Sequence, residues 1–108
     1  MIISTVEAGI PLALNVVVKS DTLSVDLSDG RTISAPLGWF PRLAHATASE
    51  RKKWRLIGKG QGVHWDDIDE DISVAGLLAG KPSGESQASF EKWLRGRAPL
   101  TRRGKSRK

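Results

Sequence analysis

The sequence predicts an α+β domain built on a small antiparallel β-sheet, a meander plus a second short hairpin. Short helices pack on the sheet, and a basic, disordered C-terminal tail follows. Three observations predict it. β-Branched runs and period-two alternation dominate between Leu14 and Ala35. Apolar spacing then shifts toward helical periods in several short stretches. Beyond Gly96 the apolar periodicity stops while basic residues accumulate.

Leu14-Asn15-Val16-Val17-Val18 has the β-branched, apolar composition of a strand. After a polar break at residues 19–22, Leu23-Ser24-Val25-Asp26-Leu27 alternates as a half-buried strand does. Asp29-Gly30 is the pair best suited to a tight hairpin turn, Thr32 to Ala35 forms the return arm, and Pro36 closes it. Leu43, Ala44, Ala46 and Ala48 are compatible with helix, with Pro41 in a first turn. Thr47 or Ser49 caps a second short helix through Trp54, carrying Arg51-Lys52-Lys53 on its exposed side. Arg55 to Ile57 and Val63 to Trp65 read as two short strands around Gly58, Gly60 and Gly62. Ile72, Val74, Leu77 and Leu78 form a short amphipathic helix, with Ser73 or Asp71 as cap and Gly80 as stop. A linker at residues 81–84 leads to a final helix in which Phe90, Trp93 and Leu94 share one face. The expected organisation is a compact domain over 1–84, a C-terminal helix over 85–95 and a tail over 96–108.

A chain of 108 residues with 39% hydrophobic residues can bury one modest core. It contains no cysteine, which excludes disulfides, zinc–thiolate sites and thiol catalysis. No apolar stretch approaches the roughly 18 residues of a membrane span. The first residues lack the basic start of a secretory signal, so the expected location is the cytoplasm and no membrane partner is expected. The net charge of +5 is unevenly placed. From Glu85 onward there are eight basic and two acidic residues, leaving nine basic and ten acidic of the total 17 and 12. The folded part is therefore near neutral, and the tail carries the attraction for acidic surfaces or phosphates.

His64 lies close in sequence to Asp66, Asp67, Asp69, Glu70 and Asp71, residue types that can serve a general base or a metal. The other histidine, His45, stands far off in sequence, and no metal-ligand spacing matches, so no catalytic residue, metal or cofactor is expected. Asp69, Glu70 and Asp71 read instead as favourable charges at a helix start, or as a docking surface for a basic partner. Gly58-Lys59-Gly60-Gln61-Gly62 lacks the ending of a phosphate loop and reads as a hairpin turn. Four tryptophans call for large buried surfaces. Trp39-Phe40 and Trp65 are assigned to the core. Trp93 either packs the last helix down or anchors a partner.

Asp29-Gly30-Arg31, Leu37-Gly38-Trp39-Phe40-Pro41-Arg42-Leu43, Trp54-Arg55-Leu56-Ile57-Gly58 with Gly60, Gly62, Val63, His64 and Trp65, and the run from Ile68 to Gly80 form an ordered set. In these stretches the chain resembles the bacterial domain-of-unknown-function family 2442. The resemblance implies a compact α+β domain with a small antiparallel sheet. It also implies a binding or regulatory role, because many members are encoded beside a small partner as candidate toxin–antitoxin pairs. Some members carry a helix-turn-helix, for which the segment after Gly80 is too short. The expected function is thus a non-enzymatic, antitoxin-like protein-binding domain with a small toxin-like protein as partner. Trp93, Arg95, Arg97, Arg102, Arg103 and Lys105 are the expected partner contacts. The alternative is a nucleic-acid-binding accessory or transcription-regulatory protein, with Arg51, Lys52, Lys53, Arg107 and Lys108 on phosphates. Pairing of an exposed strand edge could also form a homodimer.

Overall fold

The computed structural model describes residues 9–103, with side chains placed through Arg97. Its fold is α+β, as the sequence predicts. The first sheet is an antiparallel meander in the order β1 (Ala13–Val18), β2 (Thr22–Leu27), β3 (Thr32–Pro36). Alternation sends Leu23, Val25 and Leu27 inward, while Ser24 and Asp26 take the other face. Val25 lies opposite both Val16 and Ile33. On the opposite face Ser24 and Ser34 share a 2.8 Å hydroxyl hydrogen bond across β2 and β3. The turn is made as Asp29-Gly30 dictates: Gly30 adopts φ 94°, and the Asp29 carboxylate accepts bonds from the Arg31 backbone N–H and Nε–H.

A 3-10 turn (Leu37–Trp39) leads into two short helices, α1 (Pro41–Ala44) and α2 (Ala48–Lys52). Of the two caps considered for α2, Thr47 is the one used. Its hydroxyl accepts from the Glu50 N–H at 3.0 Å, and Glu50 Oε1 accepts from the Thr47 N–H at 2.8 Å.

The second sheet holds β4 (Trp54–Ile57), β5 (Gly62–Trp65) and β6 (Glu70–Ser73), antiparallel and in that order. The expected hairpin is present, and β6 adds a third strand to it. The acidic residues therefore do not form a helix start. Asp69, at φ 52°, turns the chain, and Glu70 to Ser73 then alternate buried and exposed along a strand. Helix α3 (Val74–Leu78) begins after them, capped by Ser73 Oγ accepting from the Gly76 N–H at 2.9 Å; Asp71 has no capping role. In the turn between β4 and β5, Gly60 (φ 101°) packs directly on β1. A Cβ there would lie 3.0 Å from Ala13 O and from Leu12 Cβ, so this turn seats one sheet against the other.

Both sheets share one core. Leu23, Val25, Leu37, Leu43, Val63, Trp65, Ile68 and Val74 are its most deeply buried side chains. Trp65 is fully enclosed and gives its indole N–H to Arg51 O at 3.1 Å. Phe40 is buried, while Trp39 is partly buried against the cluster. Residues 81–85 are held down by Lys81 N–H to Gly76 O and Ser83 N–H to Trp39 O, each 2.9 Å. The last helix, α4 (Gln87–Arg103), continues well past the expected end at Arg95. Among the described residues, no helix is long and apolar enough to cross a membrane.

Candidate functional site

Helix α4 meets the domain through one aromatic face. Phe90 is buried, stacks on Trp93 at 5.8 Å between centroids and meets the His45 ring edge-on at 5.1 Å. Trp93 is partly buried against the core, with the guanidinium carbons of Arg42 and Arg97 at 5.3 and 4.6 Å from its ring centroid. Both arginines are also paired. Arg42 donates Nε–H and Nη2–H to Glu85, the shortest contact being 2.6 Å, and Nη1–H to Ile68 O at 3.0 Å. Arg97 forks onto Glu50 at 2.9 and 3.1 Å. These bonds hold the Glu85 and Glu50 carboxyls below the usual glutamate range, through Arg42 and Arg97 respectively. Glu50 thus caps α2 and clamps α4 at once.

The expected partner contacts fall into three groups. Trp93 and Arg97 face the domain and fasten α4 to it. Arg95 is exposed. Arg102 and Arg103 end α4, where only the backbone is described, and Lys105 lies outside the described residues. The basic run is likewise divided. Arg51 donates to Leu43 O at 3.1 Å and Ala44 O at 2.8 Å, satisfying carbonyls at the end of α1. Lys52 is exposed, and Lys53 pairs with Asp67 at 3.4 Å on the surface. Arg107 and Lys108 lie outside the described residues.

His64 sits on β5 between two carboxylates, Asp71 facing Nδ1 and Asp66 facing Nε2 at 3.0 Å. A ring can donate to both only when doubly protonated. Arg55 grips Asp66 with two bonds of 3.1 and 3.2 Å and lowers its pKa. Among the described residues, no group of three or more His, Cys, Asp or Glu side chains is arranged to hold a metal.

The most unusual group is one that the sequence pattern hides. Glu70 is 8% exposed on β6, beside Ile72 on its inward face. Among the described residues its carboxylate makes no hydrogen bond or ion pair. It lines a cavity of about 240 Å³ whose walls include Phe40, Ile72, Leu77 and Pro82. Burial first, then the nearby Glu85 charge, push its pKa up to about 7 against an ordinary 4.5, with Arg42 opposing the shift. The only available signal was the alternation Glu70-Asp71-Ile72-Ser73, which places Glu70 on the same side as Ile72.

A family model described as protein of unknown function (DUF2442) matches residues 13–83, the two sheets and α1 to α3. A crystal structure of a protein of unknown function from Rhodospirillum rubrum is similar, at 29% identity and TM-score 0.61, covering 74% of this chain and 96% of that one. A solution structure of an uncharacterized protein from Chromobacterium violaceum shares the fold, at 20% identity and TM-score 0.59, covering 75% and 74%. No curated protein matches the chain. The family match stops short of α4, so Trp93 and Arg97 lie beyond the matched segment while Arg42, on the other side of the Trp93 ring, lies within it. Over the two sheets and their short helices, the chain belongs to the family of proteins of unknown function DUF2442.

Proposed function

We propose that this is a non-enzymatic protein-binding domain, the antitoxin-like neutralising component of a two-component bacterial module acting in the cytoplasm. The carrying observation is the way α4 is mounted. Phe90, Trp93 and the Arg97–Glu50 fork fix its first half, leaving Arg95 exposed on an anchored helix that runs on to Arg103, outside the family-matched segment. A small acidic protein is the partner suited to that presentation, and association with it depends on salt. The test is capture of partners from the native host by the full chain and by a chain ending at residue 97, each with and without nuclease. The expected result is a stoichiometric small protein that survives nuclease and is lost with the truncation. Equal recovery by the truncated chain removes residues 98–108 from the interface.

A second reading rests on a different surface. Lys19, Lys52 and Trp54 line a groove of about 410 Å³ between β1 and α2, combining basic and aromatic groups as nucleic-acid channels do. Fluorescence anisotropy with single-stranded DNA and RNA at two salt concentrations tests it; no binding at low salt eliminates it.

A further inference from the structure

The Glu70 cavity has the construction of a site for a small organic cation. Buried Glu70 lines it together with apolar Phe40, Ile72, Leu77 and Pro82, and with polar Asp71, Ser73, Lys81 and Ser83. Nothing described in the chain satisfies that carboxyl. Arg42, whose charge acts on Glu70, spends its donors on Glu85 and on the carbonyls of Ile68 and Asp69. Asp71 is turned to His64, and Lys81 lines the cavity without forming an ion pair. A buried carboxylate left in this state is costly, and a group that brings a positive charge removes the cost. At about 240 Å³ the cavity is below the roughly 300–1,000 Å³ of sites for drug-sized ligands, so a fragment-sized occupant fits.

We propose that this cavity binds an alkyl monocation, an aliphatic stem ending in an ammonium or guanidinium head, with the head on the Glu70 carboxylate and the stem between Leu77, Phe40 and Pro82. Such a cation holds Glu70 ionised, so binding near neutral pH releases a proton, consistent with the raised pKa of this carboxyl.

The experiment uses the full chain and four probes: butylammonium, butylguanidinium, 1-butanol as neutral control, and N-acetyl-arginine methylamide. Binding is followed by NMR shifts of Ile72 and Leu77 methyls and by the titration of the Glu70 carboxyl carbon. The expected result is that both butyl cations, and not butanol, shift these signals and move the Glu70 midpoint to lower pH. Glu70→Gln should weaken binding about tenfold or more through loss of a charge-assisted hydrogen bond. Tighter binding of the arginine derivative points to a partner's side chain as the source, and tighter binding of the simple cations to a free small amine. A Glu70 titration in the wild-type chain that neither cation moves overturns the proposal, whatever the variant does. Binding that appears only in Lys81→Ala overturns it too, because the occupant is then the chain's own lysine.

Discussion

At Glu70, burial of a single carboxyl sets how stability responds to pH. Its folded-state pKa of about 7 lies above the ordinary 4.5, so the folded chain holds a proton that the unfolded chain gives up between these values. Stability therefore falls as pH rises from about 4.5 to 7 and levels off above. Glu50 and Glu85 act in the opposite sense: their pKa values are lowered, so their contribution is present above the ordinary glutamate range and lost on acidification. Denaturant midpoints across pH 3–8 should thus pass through a maximum close to the ordinary glutamate value, at about pH 4.5–5. Glu70→Gln should flatten the alkaline side and leave the acid side in place; an unchanged alkaline slope would show that Glu70 is not its source. At this scale the core was largely legible. Phe40 and Trp65 are large and apolar and went inside. Glu70 was not, because a carboxylate within a run of acids reads as solvated, and only its strand position turns it inward.

Among the elements, caps and turns carry the most readable signals, since each rests on one side chain and one backbone geometry. Thr47→Ala should cost about 1 kcal/mol for the lost cap. It should also loosen Arg97, because Glu50 is positioned by the same capping box that Thr47 completes. A double-mutant cycle of Thr47→Ala with Arg97→Ala checks this, and strict additivity would dissociate the cap from the clamp. The Asp29-Gly30 hairpin and the Ser73 cap were legible for the same local reason. β6 was not: four residues, two of them acidic, carry too little β-branched character to show a strand. Its position is set by pairing with β5 rather than by its own propensity. The length of α4 was hidden for another reason, since Gly96 and Pro99, both poor helix formers, interrupt the helical pattern that Phe90 and Trp93 begin.

For the whole molecule, the matched domain and α4 form two levels of attachment. Trp93→Ala removes a partly buried aromatic and should cost about 2 kcal/mol, less than the 3–5 of a fully buried ring. Amide exchange should then rise over residues 87–97 while β2 and β5 stay protected; equal loss in both would mean that α4 is integral to the core. The α+β class and the family were legible in the ordered set of stretches that runs from the Asp29 turn to Gly80. The docking of α4 was not, because it depends on Arg42, Glu50 and Glu85, which lie up to 47 residues from their partners and have no local pattern.

One feature of the topology reaches beyond the native state. Every strand pairs with its sequence neighbour, β1-β2-β3 in one sheet and β4-β5-β6 in the other. No ladder has to wait for a distant segment, so the chain closes only short loops to build each sheet. The slow search is confined to seating the Gly60 turn on Ala13, where the two halves meet without room for a Cβ. Docking of the two meanders is therefore the expected rate-limiting step, and Gly60→Ala should slow folding more than a substitution within either meander of equal equilibrium cost.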